Sequence, residues 1–310
     1  MTEPATKVKI SEKRRGALAA LTMIEEGYVQ SFDETDIYYH SVGQGSPPLV
    51  CLNGLGVSTF FWVYMEKMFR KSHRFITWDY RGHGKSELRH DKKNHTLKAL
   101  VGDCAAVLNG LKVTSPVLIG HSLGVQVMFE YYRKHPKNVG AMIFCFGTYG
   151  HPMDHFYNLR LSRYLFRICY EIGTAFPKQS NLISQLLLKN PLSFWLGGLL
   201  KIMHTGMVNR DDMDRYIDHI LSVDPLFFTQ LLKSAQEHSA EDMLKKIKVP
   251  TLIITGEQDQ FTPIWISKKM HRLIPDSEIL IMPKATHAGL VEQPDLINLR
   301  IEKFLKERVR

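Results

Sequence analysis

Three residue types set well apart along this chain could together do nucleophilic chemistry: a serine, a histidine and a carboxylate. Ser122 stands in Gly120-His121-Ser122-Leu123-Gly124, directly after the apolar run Val117-Leu118-Ile119 and before the helix-like pattern Val127, Met128, Tyr131, Tyr132. A serine hydroxyl is a weak nucleophile, so it must stand exposed at a strand's end, beside a base and near donors for an oxyanion. Glycine on either side removes the Cβ atoms that would crowd so sharp a strand-to-helix turn. Gly-x-Ser-x-Gly by itself recurs in loops, and the strand-then-helix setting is what gives it meaning here.

A base and a group to orient it should project from loops at the carboxyl ends of neighbouring strands. His287, in Lys284-Ala285-Thr286-His287-Ala288-Gly289, follows the last strand-like run, and Asp259, in Gly256-Glu257-Gln258-Asp259-Gln260, follows the apolar run Thr251-Leu252-Ile253-Ile254. Each has a plainer reading: Asp259 as a solvated acid near a helix start, His287 as one of 14 histidines. Their joint placement, in chain order Ser, Asp, His and each after a strand, argues for the sharper one. Glu257 in the same loop and Asp154, after the strand beginning at Ala141, are the rival acids. Glu257 ranks behind Asp259 because it is longer and lies closer to the strand end.

The elements that must position these residues alternate along the chain. Strand-like pattern begins near Tyr28 and continues, after a turn at Asp33-Glu34, through Asp36 to His40. Pro48 to Leu52 then runs into Asn53-Gly54-Leu55-Gly56, so a hairpin precedes a fully apolar strand, as at the antiparallel edge of a mostly parallel sheet. Phe60, Tyr64, Met65 and Met68 recur at helical spacing. Phe75 to Trp78 leads into the glycine-rich connection Asp79 to Ser86, and Leu97, Leu100, Val101, Cys104, Val107, Leu108 and Leu111 form an amphipathic helix. A further apolar strand, Ala141 to Phe146, ends the first block of alternation. Residues 151–238 read as helical and rich in leucine and aromatics. The rhythm resumes with a capping-box-like start at Ser239-Ala240-Glu241-Asp242, a strand Pro250 to Ile254 and a helix opened by Thr262 as cap and Pro263 at its first position. Strand Glu278 to Ile281 and an amphipathic helix with Leu296, Ile297, Ile301 and Phe304 complete the chain. The expected fold is α/β, a doubly wound, mostly parallel eight-stranded sheet with a helical cap inserted over 151–238. Residues 1–26 form a helical extension in this reading, and 27–150 with 239–310 form the core.

Composition excludes several classes. At 310 residues with 44% hydrophobic and 23% charged, the chain can bury a large core as a globular protein. The net charge of +9 favours anionic surfaces or substrates, but no dense basic face with interleaved aromatics marks a nucleic-acid binder. Cys51, Cys104, Cys145 and Cys169 have neither zinc nor redox spacing, and Cys51 and Cys145 sit in apolar runs as free thiols, which points to a reducing, cytoplasmic setting. Lys13-Arg14-Arg15 before the apolar run Gly16 to Ile24 looks superficially like a signal peptide. Glu25-Glu26 stands where a cleavage site would be, so a surface helix is expected. The longest apolar candidate, Pro191 to Leu200, is closed by Lys189 and Lys201 and is too short to span a bilayer.

With these residues in view, the chain from about Tyr28 onward resembles the α/β-hydrolase superfamily with a helical cap. The resemblance implies Ser122 as nucleophile, His287 as general base and later acid, and Asp259 as the residue that orients the imidazole. It implies the backbone N–H groups of Leu55 and Leu123 as oxyanion donors, although Asn53-Gly54 stands where such chains usually have His-Gly. Asp79-Tyr80-Arg81-Gly82-His83-Gly84-Lys85-Ser86 resembles the family's structural turn, and His83 and His121 inherit no catalytic role. A serine rather than an aspartate at the turn sets the chain apart from relatives acting on epoxides and alkyl halides. The implied activity is hydrolysis of a small-molecule carboxylic ester or related acyl compound through an acyl-enzyme, with no metal or organic cofactor. The alternatives are a ligand-binding or scaffolding protein with negligible turnover, or an acyltransferase using the same residues. In the cap, Arg160, Arg163 and Arg167 lie on one helix face. They read first as a solvated face and second as a site of weak association with an anionic membrane surface or of contact with a phosphate-bearing substrate. Phe194, Trp195, Leu196 and Leu199 either line an acyl pocket or pack the cap on the sheet.

Overall fold

The computed structural model describes residues 23–89, 91–159, 161–190 and 192–309. The surface helix expected before Met23, and Arg160, lie outside the described residues. The chain enters the sheet through a hairpin of β1 (Ile24–Gln30) and β2 (Asp36–Val42), with Tyr28 opposite Tyr38. β1 begins four residues before Tyr28, so Glu25 and Glu26 belong to the sheet rather than to a helical extension. Glu25 pairs with Arg74 at 3.2 Å and Glu26 accepts from the Tyr38 hydroxyl. Charges on an exposed edge strand discourage pairing with another chain, and here they also mask the strand's alternation.

Six further strands complete the sheet: β3 (Leu49–Leu52), β4 (Phe75–Trp78), β5 (Val117–His121), β6 (Ala141–Cys145), β7 (Thr251–Gly256) and β8 (Ser277–Met282). Their order across the sheet is β1-β2-β4-β3-β5-β6-β7-β8. The β1–β2 and β2–β4 pairs are antiparallel and the remaining pairs parallel, as the early hairpin implied. Every residue of β3 to β7 is buried, which explains their uninterrupted apolar runs: helices cover both faces of a parallel sheet, leaving no solvent side.

One face is covered by α2 (Leu97–Gly110) and α3 (Leu123–Lys134), the other by α1 (Val63–Phe69) and α11 (Pro294–Arg308). The first core joins Leu100, Cys104, Val107 and Leu108 of α2 to Val125 and Phe129 of α3. The second joins Met65 and Phe69 of α1 to Ile297, Ile301 and Phe304 of α11. Thr96 caps α2 by accepting from the Ala99 N–H at 3.3 Å.

Between β6 and β7 the chain leaves the sheet for five helices: α4 (Ser162–Ala175), α5 (Pro177–Leu188), α6 (Ser193–Leu199), α7 (Arg210–Ser222) and α8 (Pro225–Glu237). Asp224 caps α8, accepting from Phe227 N–H at 2.7 Å, with Pro225 at its first position. Two expected helix starts differ. After Ser239 the chain forms a 3-10 stretch, Glu241–Lys246, and α9 (Ile264–Leu273) has Pro263 itself as its N-cap. Thr262 does not cap α9 because its hydroxyl is committed to Asp259 at 2.7 Å. The short α10 (Gly289–Glu292) follows β8. All four cysteines are unpaired, three of them buried and Cys169 exposed. No helix among the described residues is long and apolar enough to cross a membrane.

Candidate active site

β5 ends at His121; Ser122 follows with its backbone at φ 52°, ψ −114°, and α3 begins at the next residue. A non-glycine residue held there costs of order 1–3 kcal/mol and persists only where its surroundings enforce it. The enforcement is steric. A Cβ on Gly124 would lie 2.2 Å from the Leu52 carbonyl oxygen, and one on Gly120 would lie 2.3 Å from Met128 Sδ. The two glycines therefore let α3 press onto β3 and β5 and leave the serine at the crest of the turn. Leu123 is the first residue of α3, so its N–H has no partner within the helix and is free to donate to a ligand.

The histidine loop after β8 brings His287 Nε2 to 2.9 Å from Ser122 Oγ, and His287 Nδ1 lies 2.9 Å from Asp259 Oδ2. The Asp259 side chain is fully buried in the turn after β7. Its Oδ1 accepts from the Phe261 and Thr262 N–H groups at 2.8 and 2.9 Å, while Oδ2 accepts from the Thr262 hydroxyl as well as facing the imidazole. Three donors besides the histidine thus orient this carboxylate. The rival acids stand elsewhere: Glu257 accepts from Lys284 N–H at 3.0 Å, and Asp154 accepts from Gln236 in the cap at 2.8 Å. The sequence-predicted Ser122, His287 and Asp259 are brought together; Glu257 and Asp154 are not.

Several residues that hold the site gave no sequence signal of that role. Phe261 stacks on the His287 ring, with centroids 4.9 Å apart and planes at 22°. His121 Nε2 donates to the His287 carbonyl at 3.2 Å, fixing the loop from below. Burial and the neighbouring His287 ring push the His121 imidazole down to about 3, which keeps it neutral. The buried Glu292 accepts from Thr286 N–H at 2.8 Å, from the Thr286 hydroxyl at 2.6 Å and from His204 N–H at 2.7 Å, tying the histidine loop to the cap. Glu292 precedes the helix read from Leu296 onward, and its burial is not visible in a single sequence.

The loop after β3 closes the other side. Buried Asn53 donates to the Trp78 carbonyl at 2.7 Å and accepts from the Trp62 indole at 2.6 Å, so it anchors the loop. A Cβ on Gly54 would lie 3.3 Å from the Ser122 Cβ and 2.7 Å from His121 Nδ1, so the loop passes directly against the serine. Leu55 comes next and lines the same cavity as Leu123, Ser122 and His287. The Asp79 to Ser86 turn supports this loop. His83 Nε2 accepts from Gly56 N–H at 3.1 Å, and Asp79 accepts from Thr59 N–H at 2.8 Å and Lys85 N–H at 2.9 Å. Burial pushes His83 down to about 4 and raises Asp79 from its ordinary value. Arg81 spans two carboxylates, Asp103 at 2.5 Å and Asp33 at 2.8 Å.

Above Ser122 lies an apolar cavity of about 310 Å³ lined by Leu188, Ile217, Ile220, Phe228 and Leu232 of the cap. A smaller space of about 70 Å³ opens beside the serine between Val57, Phe61, Met213 and Tyr216. Neither contains Phe194 or Trp195. Trp195 is 65% exposed, and Phe194 packs beneath the Arg210 guanidinium. Of the two readings, the acyl pocket is not met for either residue, while packing on the core is met for Phe194, because Gly197 and Gly198 form the inward side of α6 and let it lie close over Met203 and Thr205.

The family profile described as alpha/beta hydrolase fold matches residues 47–294. A putative 2-succinyl-6-hydroxy-2,4-cyclohexadiene-1-carboxylate synthase of Bacillus subtilis is 26% identical over 269 residues, covering 84% of this chain and 90% of that protein. A bifunctional esterase/perhydrolase of Acinetobacter calcoaceticus is 24% identical, covering 90% of this chain and 99% of that protein. Among solved structures, an esterase from Exiguobacterium antarcticum superposes with a TM-score of 0.73 at 20% identity, over 91% of this chain and all of that one. With the matched region spanning β3 to β8, the serine turn and the cap together, this chain belongs to the alpha/beta hydrolase fold family.

Proposed function

We propose that the protein is a serine hydrolase of carboxylic esters or closely related acyl compounds. The observation that carries this reading is the continuous chain of two 2.9 Å contacts from Asp259 through His287 to Ser122 Oγ at the floor of an apolar cavity. Nδ1–H of His287 donates to Asp259, which leaves Nε2 unprotonated and facing the serine. As Oγ attacks the substrate carbonyl carbon, Nε2 takes the hydroxyl proton and the carbonyl π electrons move onto oxygen. The N–H groups of Leu55 and Leu123 receive that oxyanion. Collapse breaks the bond to the leaving oxygen, which departs as the alcohol with the proton from Nε2. Water then attacks the acyl-enzyme, giving its proton to Nε2, and the second collapse returns that proton to Ser122 Oγ and releases the acid. The larger cavity takes the acyl chain and the smaller space takes the alcohol portion.

The test is labelling with a fluorophosphonate alongside ester hydrolysis. Wild type should label stoichiometrically. Ser122→Ala should remain folded, fail to label and lose at least about a thousandfold in kcat. A folded, unlabelled wild type without turnover would instead mark a binding protein on this fold.

A further inference from the structure

Three cap helices, α4, α5 and α6, turn an apolar stripe to the outside. In α5 the residues turned inward onto α7 and α8 are Ser180, Asn181 and Ser184, whereas Leu182, Ile183, Leu186 and Leu187 face outward and are exposed. In α6 the inward residues include Gly197 and Gly198, while Leu192, Trp195, Leu196 and Leu199, at i, i+3, i+4 and i+7, form an exposed stripe. α4 also exposes a stripe, with Leu161, Leu165, Ile168 and Ile172 outward, although its inward side carries Phe166 and Tyr170 as well as Ser162 and Gly173, the last against Thr229 of α8. Exposure reaches 73% at Leu161 and 79% at Leu199. Sixteen of the twenty-four exposed large apolar side chains among the described residues fall between Leu159 and Leu200. A helix folding against water places its apolar stripe on the core, so three successive outward apolar stripes, two of them backed by small or polar residues, call for an apolar medium on the outer side.

The charges say which medium. Residues 159–201 contain six basic side chains and one acid, Glu171. Arg163, Arg167, Lys178 and Lys201 have no carboxylate within ion-pair distance among the described residues. A copy of the same surface would set these cations against one another, whereas anionic headgroups would neutralise them, with the indole of Trp195 at the level between headgroup and acyl chain. We propose that α4, α5 and α6 form a docking face that lies in the surface of an anionic lipid bilayer. Leu188, at the end of α5, lines the cavity above Ser122, so the face adjoins the route by which an acyl chain would leave the bilayer for the site. That last step rests on the hydrolase reading; the docking does not.

The experiment is flotation of the full chain with vesicles of phosphatidylcholine and phosphatidylglycerol at 3:1, and with phosphatidylcholine alone. Wild type should float with the mixed vesicles, and more weakly with the neutral ones. The triple variant Leu165→Ser, Leu187→Ser, Leu196→Ser should lose at least about tenfold in partitioning. Because that variant could misfold, Arg163→Gln with Arg167→Gln and Lys178→Gln gives a second arm. It should lose roughly fivefold per charge on mixed vesicles only, the loss vanishing at high salt. Trp195 emission in a Trp265→Phe background should shift to shorter wavelength on binding and be quenched by brominated lipid, since Trp62 and Trp78 are buried. Ser122→Ala should float like wild type, which separates docking from turnover. Absence of flotation with both compositions would overturn the proposal. So would a wild-type dimer that the leucine variant dissociates while no vesicle is bound, which would assign the face to a second copy.

Discussion

Replacing Asp259 with asparagine tests the proton path through a consequence that the turn's geometry dictates. Oδ1 accepts from two backbone N–H groups, Phe261 and Thr262, so the asparagine carbonyl oxygen must take that position. The amide nitrogen is thereby directed at the Thr262 hydroxyl and at His287 Nδ1, where Oδ2 stood at 2.7 and 2.9 Å. An NH2 group there donates to Nδ1 and stabilises the imidazole tautomer protonated at Nε2, which cannot take the serine's proton. Reversing this orientation would set an NH2 against two N–H donors inside a fully buried turn, losing two hydrogen bonds at roughly 1–3 kcal/mol each. The wrong tautomer is therefore enforced, and a comparable substitution in a serine triad lowers kcat by about 10⁴. The assay is the second-order rate of fluorophosphonate labelling together with kcat on a p-nitrophenyl ester, because labelling needs no physiological substrate. Asp154→Asn is the matched control and should change neither. An Asp259→Asn protein within tenfold of wild type in both assays, or a large loss in the Asp154 variant, would refute the assignment.

On the proposed hydrolase reading, the cavity above Ser122 would set the acyl length. At about 30 Å³ per small group, its 310 Å³ admits on the order of ten, and each buried methylene contributes roughly 0.8 kcal/mol, or about fourfold. A profile of kcat/KM against acyl length should climb to medium chains and then fall. Leu232→Trp should move the maximum to shorter chains and Trp195→Ala should leave it in place; an unmoved maximum in the Leu232 variant would place the chain elsewhere. Buried neutral His121 and His83, held at about 3 and about 4, make the unfolded chain bind about two more protons than the native one between roughly pH 6 and 4.5. Their contribution is complete above the unfolded value near 6.5 and falls with pH by about 2.7 kcal/mol per unit. Urea titrations should find about half that contribution removed by His83→Gln, and unchanged slopes would contradict the neutral assignment. Arg81→Met should cost about 3–5 kcal/mol by leaving buried Asp103 without its cation, and an unchanged urea midpoint would show that Asp103 does not depend on it.

Much of this architecture is written locally. Strands buried on both faces must be apolar throughout, so β3 to β7 are legible as runs, and a parallel sheet gathers the loops after its strands along one edge. Ser122, the Asp259 loop and His287 are legible on that ground alone, without any distance. The glycines at 120 and 124 likewise report a backbone approach that admits no Cβ, which is a local demand. Side-chain length and position rank Asp259 ahead of Glu257, two residues away in the same loop, but only the hydrogen bonds from Phe261, Thr262 and His287 show which carboxylate turns inward. Tertiary structure alone reveals Glu292 and His121 as supports of the histidine loop, their partners lying in the cap and in a loop more than 160 residues away in sequence. The cap gives the clearest division. Helical periodicity in 159–200 announces an amphipathic stripe, but a stripe has no direction. Whether Trp195 and the leucines face the site or the surroundings depends on what packs against the opposite side, and that side, with Ser180, Ser184, Gly197 and Gly198 against the rest of the cap, exists only once the helices are assembled.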